Sequence, residues 1–247
     1  MVHGMTRLPP LLPSDPDAPF PPVASALNDP DGLLAIGGDL SPTRLLNAYR
    51  NGIFPWFSEG QPILWWSPDP RMVFRTDAVK LSSRFRRSLK ASTWHARADT
   101  AFSGVVAGCA QSPRPGQHGT WITDSMMEAY IELHRLGHAH SVEVFEGEQL
   151  VGGVYGIAIG RMFFGESMFS GASGGSKVAL AALAHRLHEW NWPLIDAQVE
   201  NDHLLTLGAK RVPRDAFVAQ VAVLSAFPGP VERWTQRFGS LPANHLA

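Results

Sequence analysis

Residues 149–168 read Q-L-V-G-G-V-Y-G-I-A-I-G-R-M-F-F-G-E-S-M. Small, β-branched and aromatic residues dominate this stretch, and a glycine interrupts it near the middle. The pattern predicts one strand from Gln149 to Ile159, a turn at Gly160 and a second strand from Arg161 to Met168.

The elements on either side of this strand pair alternate between helix and strand. Apolar spacing and turn residues predict a helix at 123–136, a strand at 141–145, a helix at 176–190, a strand at 193–199 and a short helix at 202–207. Ser176 is the expected N-cap of the helix that follows the glycine-rich run 171–175. This order predicts a mixed α/β fold and is found in acyltransferases of the GNAT type.

The first 72 residues have a different character, rich in proline and glycine. One helix is expected there, capped by Ser41 and ended by Gly52. The stretch from Gly52 to Arg71 holds three of the eight tryptophans and four prolines. We expect it to be an irregular loop that forms a rigid aromatic wall for an apolar ligand or seals the domain. The chain thus divides into a small N-terminal domain, 1–72, and a catalytic domain, 73–247.

Composition narrows the class of protein. Hydrophobic residues make up 45% and charged residues 17%, and no apolar run reaches the ~18 residues of a membrane helix. The single cysteine, Cys109, excludes an internal disulfide and fits a cytoplasmic location. His134, His138 and His140 straddle a helix end without a completing Cys or acidic residue, so we expect no metal site. The net charge of -1 restricts any nucleic-acid contact to a local patch.

Such a patch exists between residues 75 and 97, which carry seven basic residues and one acidic residue. Within it, Leu81, Phe85 and Leu89 recur every four residues, so a helix would bury them and expose its cations. The surface is either a solvated face or a phosphate-binding site. The candidate nucleic-acid contacts, called the basic patch below, are Lys80, Arg84, Arg86, Arg87 and Lys90.

Polar residues interrupt the two apolar strands. Strand alternation places Phe164, Glu166 and Met168 on one face of the first strand, and Asp196 and Gln198 on one face of the second. If these strands are neighbours, Glu166 meets Asp196 and Gln198 at one end of the sheet. Such carboxylates form either a structural ion pair or a functional site, because an unpaired buried charge is costly.

Five segments together resemble bacterial leucyl/phenylalanyl-tRNA-protein transferases, in colinear order between about residues 20 and 217. They are 32–42 (GLLAIGGDLSP), 52–71, 119–123 (GTWIT), 165–170 (GESMFS) and 194–198 (LIDAQ). Two positions depart from the family pattern: its usual Asn-Ala-Ser-Lys reads Gly174-Gly175-Ser176-Lys177 here, and a pocket position often held by Met is Val154. Both departures bear on specificity more than on the reaction.

The resemblance implies a small N-terminal domain joined to a GNAT-like domain. It also implies transfer of Leu or Phe, and less well Met, from aminoacyl-tRNA to a protein's N-terminal Arg or Lys, which marks the protein for degradation. No cofactor, metal or membrane is implied.

We expect Gln198 to hydrogen-bond the attacking amine or the tetrahedral oxygen and Asp196 to orient it, since an amide cannot act as a base. The proton acceptor is left open among Asp196, water and the ribose hydroxyl of the tRNA. Glu166 or Glu200 would attract the basic acceptor. The expected substrate-binding residues are Tyr49, Trp56, Trp121, Val154, Phe164, Glu166, Met168 and Asn201.

Parts of the sequence also fit two other functions. An acetyl-CoA-dependent N-acetyltransferase would explain the element order, but the loop 170–175 lacks the basic entry that a pyrophosphate turn needs. A non-catalytic RNA-binding protein would explain the basic patch and leave the polar strand residues without a role. An assay that follows label from Phe-tRNA or from acetyl-CoA into a peptide beginning with Arg would distinguish the three functions.

Overall fold

The computed structural model describes residues 8–112, 122–229 and 231–247. In chain order, the strands are β1 (Leu11–Leu12), β2 (Leu33–Gly37), β3 (Phe54–Pro55), β4 (Leu64–Trp66), β5 (Arg71–Arg75), β6 (His95–Ala98), β7 (Ala139–Glu146), β8 (Gln149–Ile159), β9 (Met162–Ser170), β10 (Leu194–Gln198), β11 (Lys210–Val212) and β12 (Leu241–Pro242). The helices are α1 (Pro42–Arg50), α2 (Ser83–Leu89), α3 (Phe102–Gln111), α4 (Asp124–Arg135), α5 (Gly175–Glu189), α6 (Asp202–Thr206), α7 (Arg214–Ser225) and α8 (Thr235–Phe238).

The strands form two sheets. The smaller has the order β1-β2-β4-β3, and the larger has the order β11-β5-β10-β9-β8-β7-β6-β12. In the larger sheet β10 runs parallel to β9, and the other neighbours are antiparallel. A parallel pair needs a crossover connection, and α5 supplies it. The prediction of a mixed α/β fold is confirmed.

Local sequence patterns located the elements of the larger sheet well. The predicted helix at 123–136, the strand pair about Gly160 and the helix at 176–190 are observed as α4, β8 with β9, and α5. The expected cap of α5 is wrong, because Gly174 is the N-cap residue. Its φ of +91° is a left-handed conformation in which glycine is the least strained residue. The Ser176 hydroxyl instead accepts a hydrogen bond from Ser170 Oγ, at 2.9 Å.

The aromatic stretch 52–71 is more regular than expected. It contains β3 and β4, and β4 lies in the interior of the smaller sheet, between β2 and β3. The expectation of an irregular loop is therefore wrong for residues 64–66, which contain no proline. Trp65 is fully buried, and its Nε1 donates to the Gly37 carbonyl at 2.9 Å.

The two sheets share a hydrophobic core. Leu34 and Trp65 of the smaller sheet belong to the same buried cluster as Tyr155 and Phe164 of the larger one. The domain division at residues 72 and 73 stays a prediction, and it would fall inside β5. Among the described residues, no helix is both long and apolar enough to cross a membrane.

Candidate active site

Glu166 lies at an irregularity in the pairing of β8 with β9. Tyr155 pairs with Ser167 and Gly156 pairs with Gly165, so Glu166 is the extra residue of a β-bulge. A bulge of this kind redirects a side chain out of the regular alternation. The Glu166 carboxylate is consequently held beneath the surface, where the residue is 8% exposed.

Three side chains donate hydrogen bonds to this carboxylate. The Tyr49 hydroxyl and the Gln198 Nε2 donate to Oε1, at 2.7 and 2.8 Å. The Tyr130 hydroxyl donates to Oε2 at 2.6 Å. Because Tyr49 comes from α1 and Tyr130 from α4, the carboxylate joins helices of both parts of the chain to the end of β10.

Burial raises the pKa of Glu166 to about 7, and the two tyrosine hydrogen bonds oppose this rise. The Asp196 charge raises the pKa further, and Arg71 lowers it. The pKa values of Tyr49 and Tyr130 lie well above their ordinary value, mainly because both rings are buried. Both hydroxyls therefore remain protonated donors at neutral pH.

The hydroxyl oxygens of Tyr49 and Tyr130 also lie 2.7 Å from each other. The two tyrosines and Glu166 thus form three oxygen–oxygen contacts with only two hydroxyl hydrogens. When Glu166 is protonated, the Oε2 proton supplies the third hydrogen: Oε2–H then donates to the Tyr130 hydroxyl, Tyr130 donates to Tyr49, and Tyr49 donates to Oε1. Oε1 remains an acceptor for Gln198 whether Glu166 is protonated or ionised.

Asp196 forms a buried ion pair with Arg71. Arg71 Nε and Nη2 lie 2.8 and 2.7 Å from the two carboxylate oxygens, and both residues are fully buried. The guanidinium lies between the rings of Phe54 and Phe217, 4.6 Å from each centroid. Its Nη1 donates to the Gly52 carbonyl at 3.0 Å. Both Asp196 oxygens are thus engaged by Arg71 inside the protein.

Gln198 ends β10 in an unusual conformation. Its φ is +60°, a left-handed value that costs free energy for a residue with a side chain. The Gln198 N–H donates to Asp196 Oδ1 at 2.9 Å, and the register with β5 shifts between these residues. The register shift interrupts the regular alternation between Asp196 and Gln198, and the two side chains have different partners, Arg71 and Glu166. Asp196 contacts the Gln198 backbone, while Glu166 holds its amide group.

An apolar cavity of about 120 Å³ adjoins this polar group. It lies between β9, β10 and α5, and Glu166 and Asp196 are part of its wall. The apolar side chains around it are Phe74, Val154, Phe163, Met168, Leu180, Leu183, Ile195, Ala197 and Leu204.

The expected binding residues do not all reach this cavity. Val154 and Met168 line it, but Phe164 packs in the other core against Tyr49, with ring centroids 5.3 Å apart. Phe164 and Glu166 share one face, since both contact Tyr49, but the expectation that Met168 joins them is wrong, because the bulge at Glu166 reverses the alternation after it.

The remaining expected residues have identifiable contacts. Trp56 packs against Trp66, with ring centroids 5.8 Å apart. The Asn201 side chain caps α6 by accepting from His203 N at 2.8 Å. Glu200 is exposed and paired with Arg211, which lowers its pKa. Trp121 lies outside the described residues.

The basic patch lies on and beside α2. Leu89 is buried and Leu81 and Phe85 pack against the second core, which confirms the predicted apolar stripe. All five cations of the patch are exposed, and none pairs with a carboxylate in the described parts of the chain. A groove of about 730 Å³ separates α2 from α5, and Lys80 and Arg86 line it.

Arg71 and Tyr130 were missed by sequence reasoning. Arg71 did give a signal, because it lies in an apolar strand and Asp196 lies in another. Opposite charges in two buried strands indicate an ion pair between them. Tyr130 gave no such signal, because an aromatic residue on a helix face is ordinary core. No group of three potential ligands suited to a metal ion occurs among the described residues.

Comparison with known proteins gives family matches along most of the chain. Residues 73–222 match the family model of leucyl/phenylalanyl-tRNA protein transferase, and residues 38–69 match the model of its N-terminal domain. The chain is 69% identical over 240 residues to the leucyl/phenylalanyl-tRNA–protein transferase of Xanthomonas campestris pv. campestris strain B100, covering 97% of this chain and 96% of the relative. It is 63% identical over 236 residues to the enzyme of that name from Xylella fastidiosa strain 9a5c, covering 96% and 97%.

Two solved structures show weaker similarity. A functionally unknown conserved protein from Staphylococcus epidermidis aligns with a TM-score of 0.40 at 11% identity, covering 73% of this chain and 68% of the other. L-PGS from Bacillus licheniformis aligns with a TM-score of 0.35 at 11% identity, covering 80% and 62%.

Proposed function

The chain belongs to the leucyl/phenylalanyl-tRNA–protein transferase family, and from this premise we propose how its residues carry out the transfer. It is an aminoacyltransferase. The proposed donors are Leu-tRNA and Phe-tRNA, with Met-tRNA used less well. The proposed acceptors are proteins that begin with Arg or Lys, which the added residue marks for degradation in the cytoplasm.

The observation that supports this assignment is the position of the Gln198 amide, held by Glu166 at the wall of an apolar cavity. We assign the cavity between Val154 and Met168 to the Leu or Phe side chain of the donor. An apolar cavity discriminates a single methylene by only about 1–3 kcal/mol, so a flexible Met side chain is tolerated. A charged side chain is rejected, because the apolar lining offers it no partner.

The reaction needs positioning more than activation, because the aminoacyl ester is already reactive. The acceptor amine attacks the ester carbonyl, the bond to the ribose oxygen breaks, and an amide bond forms. Holding the two reactants in line is worth about 7–11 kcal/mol. Gln198 supplies an oriented acceptor for the amine N–H: its Nε2 is tied to Glu166, and no described residue donates to its Oε1.

Asp196 acts through the backbone in this proposal. Its carboxylate, fixed by Arg71, holds the N–H of Gln198 and thereby stabilises the left-handed conformation that ends β10. It is a positioning residue, since both of its oxygens are engaged inside the protein. The proton of the amine then passes to water or to the departing ribose oxygen, which leaves as a hydroxyl.

The basic patch is the proposed contact with the tRNA. Two of its exposed cations, Lys80 and Arg86, line the groove between α2 and α5, where phosphates would replace water around them. The patch offers charge and no base-reading element, so binding should depend little on tRNA sequence. Contacts of this kind weaken as salt is added.

The test is a comparison of labelled donors. The purified chain is mixed with a peptide beginning with Arg and with either labelled Phe-tRNA or labelled acetyl-CoA. Label should enter the peptide from Phe-tRNA and not from acetyl-CoA. A peptide of the same sequence beginning with Glu is the matched control and should remain unlabelled. Transfer of the acetyl label, or labelling of both peptides alike, would contradict the proposed function.

A further inference from the structure

A second cavity lies at the opposite end of the larger sheet from Gln198. It occupies about 150 Å³ where β8 ends, where β9 begins and where α7 ends. It lies before the start of β10, while Gln198 lies at the end of that strand, roughly 13 Å further along. The residues around it are Arg50, Gly137, His138, His140, Ala158, Ile159, Gly160, Trp192, Ser225, Phe227, Gly229 and Val231.

The lining of this cavity is basic. Arg50, His138 and His140 line it, and no described Asp or Glu residue does so. Neither Arg50 nor His138 has a carboxylate partner within the described ranges. Three nitrogen-bearing side chains converge on one small space, and two of them, Arg50 and His138, have no counter-charge, so the space is complementary to an anion.

His140 is fixed so that one of its nitrogens remains available to this cavity. The residue is 1% exposed, and its ring stacks on Trp234 with centroids 4.0 Å apart. Its Nδ1 lies 2.8 Å from Asp99 Oδ2, and hydrogen bonds from His140 and backbone amides hold the pKa of Asp99 low despite its burial. Asp99 is therefore ionised and accepts the Nδ1 hydrogen. Nε2 has no partner among the described residues, so it is the polar atom that this buried ring offers to the cavity.

From this convergence we infer that the cavity binds a small oxyanion of the phosphate class. A volume of about 150 Å³ suits one phosphate group and not a nucleotide. Arg50 would supply the permanent charge, and His138 would donate a hydrogen bond to one oxygen. His140 donates its Nδ1 hydrogen to Asp99, so its Nε2 would accept the hydrogen of a P–OH group. The Ser225 hydroxyl at the same wall is a further donor.

Binding should be linked to protonation of His138. The pKa of His138 is lowered by burial, then by Arg50 and His140. A bound anion offsets these two repulsive effects, so His138 takes up a proton on binding. The charged groups around His138 and its neighbours His134 and His140 are Arg50, Asp99 and Arg233.

Calorimetric titration of the full chain with inorganic phosphate, at about pH 6 and about pH 8, tests the inference. We expect one site per chain at both pH values. Arg50→Gln and His138→Gln should each weaken binding by roughly tenfold or more. Arg135→Gln is the matched control, because it removes an exposed arginine paired with Glu132 outside the cavity. It should bind phosphate as the wild type does.

Two further arms identify the site and the ligand. A variant with the three arginines of the basic patch replaced by alanine should keep this phosphate site, which separates it from the proposed tRNA surface. Adenosine monophosphate should bind more weakly than inorganic phosphate, because the cavity has no room for a nucleoside. Binding that survives in Arg50→Gln and His138→Gln, or that disappears in the patch variant, would overturn the inference. So would the absence of binding at about pH 6.

Discussion

Asp196→Asn should destabilise the protein as well as slow the transfer reaction. The substitution leaves the Arg71 guanidinium fully buried between two aromatic rings without its carboxylate. Removing one partner of a buried ion pair typically costs about 3–5 kcal/mol, because the remaining charge has lost both water and its partner. Compared with the ~5–15 kcal/mol that stabilise a typical protein, this is a large fraction.

The exposed pair of Arg75 with Asp77 is a matched control. It has the same two-bond geometry, with distances of 3.0 and 2.6 Å, but its side chains are 64% and 41% exposed. Solvent screens such a pair, so Asp77→Asn should lower the free energy of unfolding far less than Asp196→Asn does. The difference between the losses of unfolding free energy in Asp196→Asn and Asp77→Asn isolates the effect of burying the pair.

The assay combines urea unfolding with single-turnover transfer of labelled Phe. Asp196→Asn should lose about 3–5 kcal/mol in unfolding free energy. It should also lose about 10²-fold in kcat while KM for the donor changes little, because Gln198 is less firmly held.

A double variant, Arg71→Met with Asp196→Leu, separates stability from function. It should regain much of the stability, since apolar groups replace the pair, yet remain slow. If Asp196→Asn unfolded like the wild type and still lost transfer, Asp196 would act on the reaction directly and its positioning role would be refuted.

Three further predictions concern the tRNA surface, the donor cavity and a buried carboxyl group. Replacing the three arginines of the basic patch by alanine should reduce the slope of log K for tRNA binding against log salt concentration by roughly one for each lost phosphate contact. Transfer from a minimal aminoacyl-nucleoside donor should be unaffected, and equal losses of activity with both donors would refute the assignment. Val154→Met should narrow the cavity and reduce use of Phe relative to Leu, measured by competition between labelled donors, while Phe164→Leu on the opposite face leaves the ratio unchanged. Burial raises the pKa of Glu143 from 4.5 to about 7, so the native protein holds a proton there after the unfolded chain has lost it. The free energy of unfolding of the wild type should therefore fall by about 3 kcal/mol as the pH rises between these values, while that of Glu143→Gln should not. Urea unfolding measures both proteins, and a difference between them that stays constant with pH would contradict this prediction.

Periodic local patterns located much of the fold. The helix at 175–189 and the strands on either side of Gly160 follow from apolar spacing and turn residues, which act within one element. The apolar stripe of α2 was predicted for the same reason. β3 and β4 were missed because strands of two and three residues carry too little pattern, and their pairing partners lie elsewhere in the chain.

The site was less predictable than the fold. Glu166 and Gln198 were selected as polar residues in apolar strands, and the structure joins them by a hydrogen bond. Their geometry depends on bulges, which are set by pairing between strands and leave no mark in the alternation of one strand. Arg71 and Asp196 are 125 residues apart in the chain, and only the assembled sheet reveals their ion pair.

A structure of the chain with a non-hydrolysable phenylalanyl-adenosine would test the central claim most directly. We predict that the phenyl ring occupies the cavity between Val154 and Met168, with the acyl carbonyl facing the Gln198 amide. An acceptor amine bound to Gln198 Oε1 should then lie about 3–3.5 Å from the carbonyl carbon, the distance of a reactive arrangement. The phenyl ring on the Phe164 side of the sheet, or a carbonyl remote from Gln198, would contradict the account.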